Sequence, residues 1–276
     1  MKIVKLKIEN FHKMHLVGPK EVKSLKKPKS NSHKGDNGIL VIIGGSKQYH
    51  GAPLLAAKMA SKIVDLVYFS SVPENNRLIN KMKSKLCEFI TVSRKNILSY
   101  FNKSDVILIG PGLGTGNIER NLINRLLKKY PHKKFVLDAG ALKVLNKKYL
   151  GKNCIITPHA REFQILFKIR ATEANVKQMA KKYQCVIVLK GKKDLIISSN
   201  MVSCNTSGNQ GMTKGGTGDV LAGLIAALAT TNNLYLAACA GTYLNGLAGN
   251  RLKKKVSYYY NASDLIEEIP KTIKAL

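Results

Sequence analysis

The sequence predicts a layered α/β fold in which helices cover both faces of a mostly parallel sheet. The chain has 276 residues, of which 45% are hydrophobic and 22% charged, and this is enough for one large α/β domain with a sizeable core. Its strand candidates are short and apolar throughout, and helical patterns separate them. Continuous apolar strands of this kind are typical of a sheet that is buried on both faces.

The predicted strands and helices alternate along the chain. The predicted strands are residues 39–43, 66–70, 106–109, 135–137, 155–157 and 186–189, followed by a hairpin of residues 194–197 and 201–203. The predicted helices are residues 53–64, 118–129, 141–145, 161–167, 173–183, 219–229 and 234–253. Because ligands of open α/β sheets bind beyond the carboxyl ends of the strands, the glycine-rich segments that follow several strands are well placed for a site.

The charge of the chain is strongly positive. It carries 46 Lys+Arg against 16 Asp+Glu, a formal net charge of +30, which attracts phosphorylated ligands or nucleic acid. The basic stretch at residues 20–34 is interpreted as an exposed connector, with a nucleic-acid-binding arm as the alternative. Basic residues are spread along the whole chain with few aromatic residues between them, unlike a surface on which bases stack.

The cysteines and the apolar segments predict a soluble, cytoplasmic protein. The cysteines are Cys87, Cys154, Cys185, Cys204 and Cys239. They are widely spaced without a CxxC pair, so we expect buried reduced thiols rather than disulfides or a zinc site. The longest helical apolar run is much shorter than the roughly 18 residues of a membrane span, and the N-terminus has no signal-peptide core.

The segment at residues 208–224 (GNQGMTKGGTGDVLAGL) carries the strongest chemical signal. Its glycines allow backbone amides to converge where an apolar helix begins, so Gly216, Thr217 and Gly218 are predicted to form an anion hole. Asp219 can take the proton from an attacking hydroxyl while these amides hold charge on a phosphoryl group. The alternative that Asp219 only caps the helix is equally consistent with the sequence.

Two other glycine-rich segments do not meet the familiar nucleotide-binding patterns. Residues 44–53 (GGSKQYHGAP) lack the ending of a P-loop, and residues 110–116 (GPGLGTG) do not have GxGxxG spacing. A P-loop or a dinucleotide-binding Rossmann site is therefore not expected. Each segment follows a strand and precedes a helix, so each can line a ligand site or simply form a tight turn.

Polar side chains also follow the predicted strands at residues 155–157 and 186–189. His159 and Glu162 lie just beyond the first of these strands. His159 either faces a ligand or has only a structural role. The second strand leads into KGKKD at residues 190–194. This lysine-rich turn is either a solvent-exposed segment that leads into the hairpin or a binding site for a polyphosphate.

Together these segments resemble the ribokinase-like superfamily, and closely the ADP-dependent NAD(P)H-hydrate dehydratase family. The matching residues are Lys34-Gly35, GGSKQYHGAP at 44–53, GPGLGTG at 110–116, LDA at 137–139, TPHxxE at 157–162, KGKKD at 190–194, GMTKGGTGDVLAG at 211–223 and ASDLIEEIP at 262–270. The resemblance implies a three-layer ribokinase-like fold over residues 34–276, preceded by a basic N-terminal segment over residues 1–33.

The resemblance implies a metabolite-repair enzyme, a carbon–oxygen lyase. The family uses a nucleotide, ADP or ATP, to phosphorylate the added hydroxyl of the (S)-epimer of NAD(P)H hydrate, and phosphate is then lost to restore the ring. Asp219 would be the base, and Glu162 would position Mg²⁺ through water. The hydrate would contact Ala52, Gly114, His159 and Asp219. The adenine nucleotide would contact Lys190, Gly191, Lys192, Lys193, Asp194 and Gly218.

Four positions depart from the family pattern. The family usually has DADAL where this chain has DAGAL, so Gly140 replaces an acidic residue. Lys214 replaces a small or neutral residue and is expected to add charge beside the anion hole. Asn245 and Asn250 replace a frequent His and Asp near the C-terminus. None of the four removes the proposed base.

The resemblance also bears on partners and on rival functions. Many relatives carry an N-terminal epimerase domain, whereas the 33 residues before the match are too few for one, so dependence on a separate epimerase is expected. A homo-oligomer is also expected. The main alternative is a vitamin-precursor kinase of the same superfamily, although such kinases commonly have Asn where His159 stands. A basic nucleic-acid-binding protein is a second alternative, but it does not explain the glycine-rich turns.

Overall fold

One ten-stranded sheet runs through the molecule. The computed structural model describes residues 14–83 and 87–276. The strands are β1 (His15–Leu16), β2 (Ile39–Ile43), β3 (Leu66–Ser70), β4 (Ile90–Thr91), β5 (Val106–Ile109), β6 (Lys134–Leu137), β7 (Cys154–Ile156), β8 (Val186–Leu189), β9 (Asp194–Ile197) and β10 (Val202–Asn205). Their order in the sheet is β1-β10-β9-β8-β7-β6-β5-β2-β3-β4. Only β9 is antiparallel to its neighbours, β8 and β10, so the predicted mostly parallel sheet is confirmed.

Helices pack on both faces of this sheet. They are α1 (Pro19–Lys23), α2 (Gly51–Ala60), α3 (Pro73–Lys81), α4 (Asn117–Lys129), α5 (Gly140–Val144), α6 (Ala160–Phe167), α7 (Glu173–Tyr183), α8 (Thr217–Thr231), α9 (Leu234–Val256) and α10 (Ala262–Lys274). Alternate strand residues enter opposite cores: Leu40 and Ile42 pack with α2, α8, α9 and α10. Val41 and Ile43 pack with α4, α5, α6 and α7, which confirms the three-layer architecture.

The strand order reverses between β2 and β5. From β2 the chain adds β3 and β4 on one side, and it then returns to add β5, β6, β7 and β8 on the other. The loops that follow β2 and β5 meet at this reversal, because the amide of Gly45 donates to the carbonyl of Pro111 (2.8 Å). Such a topological switch point is where ligands of open α/β sheets bind.

Helix α8 is fixed along its length by its neighbours. At its C-terminus, the ammonium of Lys134 donates to the carbonyls of Ala229 (2.8 Å) and Asn232 (2.9 Å), a favourable place for a cation. In its middle, a Cβ at Gly223 would lie 2.5 Å from the carbonyl oxygen of Ala56 in α2. The close approach of α2 and α8 therefore positions the glycine-rich turn at the N-terminus of α8.

Most predicted elements agree with the structure, and the differences have local causes. The strands predicted at 39–43, 66–70, 106–109, 186–189 and 194–197 and the helix at 173–183 have the predicted bounds. The helix predicted at 53–64 instead spans Gly51–Ala60, and α3 and α10 were not predicted. The sequence of α3, PENNRLINK, has few apolar residues, and Pro270 interrupts the pattern of α10.

The N-terminal region contributes to the same sheet. Strand β1 pairs in parallel with β10, and Val22 of α1 is buried against the core. The basic stretch at 20–34 is therefore not simply a connector, because its first residues form a packed helix. Residues 1–13, the segment without a predicted signal-peptide core, lie outside the described residues.

The thiols follow the prediction with one exception. All five cysteines are free, and Cys154, Cys185, Cys204 and Cys239 are buried. Cys87 is exposed, so the expectation of buried thiols is wrong for this residue. Within the described ranges, no helix is long and apolar enough to cross a membrane.

Candidate active site

A pocket of about 850 Å³ opens beside the N-terminus of α8. The turn at residues 190–194 lines one side of it, and residues 206–213 and two helices, α8 and α9, line the others. Gly218, Thr217 and the whole predicted nucleotide turn are among the lining residues. The structure therefore brings Thr217 and Gly218 of the predicted anion hole and all of the predicted nucleotide contacts to one cavity.

The turn before α8 requires glycine at position 216. Gly216 has a φ of +94° and is the N-cap of the helix, a backbone conformation that L side chains rarely adopt. A Cβ at this position would also lie 2.5 Å from Cδ1 of Leu55 and 2.9 Å from Cβ of Ala262. A side chain at position 216 therefore does not fit. The glycine keeps the backbone of the turn in this conformation, and this conformation fixes the direction of the amides.

Two of the three predicted anion-hole amides are available. Within residues 14–83 and 87–276, the amides of Gly216 and Gly218 have no hydrogen-bond acceptor. The amide of Thr217 donates to the carbonyl of Lys214 (3.4 Å), so the prediction is weakened at this position. The Thr217 hydroxyl instead closes the turn by donating to the carbonyl of Met212 (2.7 Å).

Lys214 has a structural role that was not predicted. Its ammonium donates to the carbonyls of Tyr260 (2.6 Å) and Tyr258 and lies over the Tyr260 ring. The charge is thereby held by the loop between α9 and α10. The expectation that Lys214 adds charge beside the anion hole stays a prediction, because hydrogen bonds to carbonyls leave the ammonium positively charged.

A charged cluster adjoins the pocket at the ends of β6, β7 and β8. The ammonium of Lys190 donates to Oδ1 of Asp138 (2.8 Å), and the hydroxyl of Thr157 donates to the same oxygen (2.7 Å). Burial alone lowers the pKa of Lys190, but the carboxylates of Asp138, Glu162 and Asp219 outweigh it and raise the pKa above its usual value. Lys190 therefore remains charged among these three carboxylates.

Asp219 projects from the first turn of α8 into this cluster. Burial, together with the negative charges of Asp138 and Glu162, raises its pKa to about 7, although Lys190 acts in the opposite direction. No side-chain hydrogen bond caps α8, but Asp219 lies in its first turn, where a carboxylate interacts favourably with the helix dipole. The catalytic role of Asp219 and the alternative that it only caps the helix both stay predictions. A carboxylate with a pKa near neutrality is suited to exchange protons with a ligand at physiological pH.

His159 and Glu162 form a capping box at the start of α6. Nδ1 of His159 accepts the amides of Arg161 (3.1 Å) and Glu162 (3.2 Å), and Oε2 of Glu162 accepts the amide of His159 (3.0 Å). Because Nδ1 accepts, the neutral ring carries its proton on Nε2, which lies 3.6 Å from Oε2 of Glu162. The histidine is thus structural through one nitrogen and available to a ligand through the other.

The turn at residues 190–194 is held together by its own carboxylate. Oδ1 of Asp194 accepts the amide of Gly191 (3.1 Å), and Oδ2 accepts the side-chain amide of Asn205 (3.0 Å). Burial raises the pKa of Asp194. Asp194 therefore shapes the turn, while Lys192 and Lys193 also line the pocket.

Ala52 and Gly114 lie apart from this pocket, on the two loops at the switch point. A Cβ at Gly112 would lie 3.1 Å from Cβ of Ala52, and a Cβ at Gly114 would lie 3.3 Å from the Glu119 carboxylate. The contact of Gly216 with Leu55 joins the two regions, since Leu55 is one turn beyond Ala52 in α2. Of the predicted hydrate contacts, His159 and Asp219 thus lie at the cluster, and Ala52 and Gly114 lie on the loops at the switch point.

No site role was predicted from the sequence for Asp138, Asn245 and Asn250. Asp138 holds Lys190 within the cluster, and its position directly after β6 was the available signal. Asn245 is 5% exposed, lines the pocket, and its Oδ1 has no hydrogen-bond partner in the described part of the chain. Asn250 lines the same pocket.

The replacement of the family's acidic residue by Gly140 has a local reason in this backbone. A Cβ at position 140 would lie only 2.1 Å from the carbonyl oxygen of Leu113. Ala139, the preceding residue, has a φ of +45°, a strained conformation for alanine. Glycine at 140 therefore allows the segment after β6 to touch the loop after β5.

The acidic residues fit a magnesium ion whose ligands are mainly phosphate and water oxygens. No group of three or more His, Cys, Asp or Glu in residues 14–83 and 87–276 could hold a metal by itself. Mg²⁺ usually keeps several waters and takes one or two carboxylates together with substrate phosphates. Glu162 engages Oε2 in the capping box and leaves Oε1 for such a water.

Residues 40–271 match the family described as NAD(P)H-hydrate dehydratase. The chain is 44% identical over 272 residues to a bifunctional NAD(P)H-hydrate repair enzyme of Methanocaldococcus jannaschii, covering 94% of this chain and 53% of the relative. It is 36% identical over 267 residues to an ADP-dependent (S)-NAD(P)H-hydrate dehydratase of Nitrosopumilus maritimus, covering 89% of this chain and 92% of the relative. The chain thus spans about half the length of the bifunctional relatives.

Solved structures share the fold along nearly the whole chain. A ribokinase-like superfamily protein of Enterococcus faecalis superimposes with a TM-score of 0.86 at 27% identity, covering 96% of this chain and 97% of that one. An ADP/ATP-dependent NAD(P)H-hydrate dehydratase of Bacillus subtilis, co-crystallized with ATP/Mg²⁺, has a TM-score of 0.82 at 24% identity, covering 96% of this chain and 99% of that one.

Proposed function

The chain belongs to the NAD(P)H-hydrate dehydratase family, and from this premise we propose that it restores NAD(P)H from the (S)-epimer of its hydrate. The hydrate hydroxyl attacks the terminal phosphorus of ADP or ATP, and the bond from that phosphorus to the nucleotide breaks. The carbon–oxygen bond of the phosphorylated hydrate then breaks, inorganic phosphate leaves, and loss of a proton from the neighbouring carbon restores the ring double bond.

The observation that carries this proposal is the raised pKa of Asp219 beside unpaired amides. With a pKa of about 7, Asp219 can accept the proton of the hydrate hydroxyl as the oxygen attacks phosphorus. The amides of Gly216 and Gly218 and the ammonium of Lys190 supply positive charge for the transferring phosphoryl group. The base and the anion site are one turn apart on the same helix, so their relative position is fixed.

Nucleotide and hydrate approach the phosphoryl group from opposite sides. The pocket lined by Lys190, Gly191, Lys192, Lys193 and Asp194 takes the nucleotide. The loops that carry Ala52 and Gly114 take the hydrate. His159 donates from Nε2 to a polar group of the hydrate while its Nδ1 remains in the helix cap.

A magnesium ion fits beside Glu162. When bound, it would neutralise phosphate charge and orient the terminal phosphate, with Oε1 of Glu162 holding one of its waters. Asp138 keeps Lys190 in place in this arrangement. The separate epimerase, a homo-oligomeric state, cytoplasmic location and the domain boundary at residue 34 remain predictions.

The test is turnover of the hydrate with each nucleotide. Purified protein is incubated with (S)-NADH or (S)-NADPH hydrate, Mg²⁺ and ADP or ATP, while the absorbance of the restored dihydronicotinamide and the released phosphate are followed. We expect dihydronicotinamide and phosphate to appear in equal amounts. No signal with either nucleotide would contradict the proposal, and a stable phosphate ester as the product would favour the small-molecule kinase.

A further inference from the structure

Unpaired buried polar groups are concentrated at one end of the sheet, away from the cluster around Lys190. Six buried side-chain polar atoms have no hydrogen-bond partner among residues 14–83 and 87–276. One of these atoms is in Asn245. The other five belong to His50, Ser70, Asn75, Thr91 and Arg94, and each residue lies at or just after the carboxyl end of β2, β3 or β4. These strands are neighbours in the sheet.

Arg94 is the only cation in this set. Its Nη2 donates to the carbonyls of Gly44 (3.2 Å) and Gly45 (3.4 Å), while Nε has no partner in the described part of the chain. Burial lowers the pKa of Arg94, and the nearby charge of Glu119 acts against this effect. No carboxylate of the described residues forms an ion pair with Arg94.

A largely buried guanidinium without an ion-pair partner costs free energy. Its position suggests what offsets this cost. Gly44 and Gly45 begin the loop that leads to Ala52, and Gly45 contacts the loop after β5 at the topological switch point. Arg94 therefore reaches the same crevice that the proposed function assigns to the hydrate.

The shape of the hydrate fits the separation between Asp219 and this crevice. Nη2 of Arg94 contacts the loop after β2, and β2 lies two strand spacings from β6 in the sheet. Neighbouring strands lie about 4.8 Å apart, so the ends of β6 and β2 are separated by about 10 Å. A dinucleotide whose nicotinamide lies at Asp219 is long enough to place its phosphates at the end of β2. The direction that leads away from the nucleotide pocket passes β5 and β2 towards Arg94.

We propose that Arg94 is a substrate-binding residue that binds a phosphate of the dinucleotide substrate. The proposal rests on the proposed function for the identity of that substrate. Guanidinium groups bind phosphate through paired N–H donors. The phosphate is either the 2′-phosphate that only the NADPH form carries or the pyrophosphate that both forms share.

The test measures equilibrium binding of NADPH and NADH, the two products, by calorimetry with wild-type protein and Arg94→Met. Binding does not require turnover, so the result is independent of whether the dehydratase activity is found. Arg77→Met is the matched control, because Arg77 is an exposed arginine on the adjacent helix α3. ATP binding reports whether the second pocket remains intact in each variant.

We expect Arg94→Met to weaken dinucleotide binding about tenfold or more, the size of a lost hydrogen bond to a charged group, while Arg77→Met leaves it unchanged. A loss of affinity for NADPH alone identifies the 2′-phosphate as the bound group. An equal loss of affinity for NADPH and NADH identifies the pyrophosphate. Unchanged binding of both dinucleotides would overturn the proposal, as would equal weakening of dinucleotide and ATP.

Because Arg94 also holds the carbonyls of Gly44 and Gly45, its replacement can disturb the loop. Arg94→Lys serves as the second variant, since a lysine keeps the charge and one donor but not the paired N–H geometry. Intermediate dinucleotide affinity in this variant supports phosphate binding. Wild-type affinity for Arg94→Lys together with a lowered melting temperature for Arg94→Met would show that Arg94 only braces the loop.

Discussion

The ammonium of Lys190 and the carboxylate of Asp138 are joined across 2.8 Å, and this pair connects the pocket to the base. Lys190 lines the pocket, and a Cβ at Gly218 would lie 3.8 Å from its Nζ. Asp138 raises the pKa of Asp219 while Lys190 lowers it. Burial is the largest cause of the raised pKa of Asp219, and the pair adjusts that pKa in opposite directions.

Replacing the base should abolish turnover while preserving the fold. We expect Asp219→Asn to lower kcat by at least about a hundredfold, the scale of losing a general base, with nucleotide affinity retained. The measurement is the rate of dihydronicotinamide release at saturating hydrate. A variant that retains more than a small fraction of the wild-type rate would show that Asp219 is not the base.

The same variant has a stability signature that serves as its control. The folded state raises the Asp219 pKa from 3.8 to about 7, so it binds this proton more tightly than the unfolded chain does. Stability from this group is therefore present at low pH and is lost as pH rises through about 7. Asp219→Asn should melt at a higher temperature than wild type at pH 8, and the difference should shrink at pH 5.

The pH profile of turnover should report the Asp219 carboxylate. If the ionised form is the base, kcat is half-maximal near pH 7 and falls about tenfold for each pH unit below it. Asp138→Asn removes a charge that raises this pKa and should move the profile to lower pH. Lys190→Met removes a charge that lowers it and should move the profile to higher pH. Shifts in the same direction would show that the two charges do not act on Asp219.

The turn at residues 190–194 should affect the binding of the nucleotide rather than the binding of the hydrate. Replacing Lys192 and Lys193 by Ala is expected to weaken ADP or ATP binding, with a larger effect at low salt because exposed charges are screened. Lys181→Ala with Lys182→Ala, on the exposed surface of α7, is the matched control. Unchanged nucleotide affinity beside altered hydrate affinity in calorimetry would mean that the two subsites are reversed.

His159 and Glu162 should differ in the kinetic constant that they change. His159→Ala is expected to raise the KM for hydrate and to cost about 1 kcal/mol of stability through loss of the helix cap. Glu162→Gln should instead lower kcat and weaken the response to Mg²⁺. His159→Asn separates capping from binding, because asparagine is a good N-cap. If this variant keeps the wild-type KM, the histidine has only the structural role.

The sequence was sufficient for features that depend on neighbouring residues. Strand β8 and helix α7 were predicted with their observed bounds because apolar runs and helical periodicity are local. The pair of Lys190 and Asp138 was not, since its members lie 52 positions apart and meet only when β6 and β8 enter one sheet. The cap formed by Nδ1 of His159 was missed for another reason: histidine is not a usual N-cap residue, so its type did not indicate the role.

The reversal of strand order between β2 and β5 divides the proposed hydrate contacts along the gene. Ala52 and Gly114 are encoded before residue 117, whereas His159, Asp219 and all of the proposed nucleotide contacts are encoded after residue 138. Under the proposed function, variation in the first part changes only the acceptor side of the site and leaves the base and the nucleotide contacts unchanged. A fold divided in this way allows the choice of acceptor to evolve while the residues for phosphoryl transfer are kept.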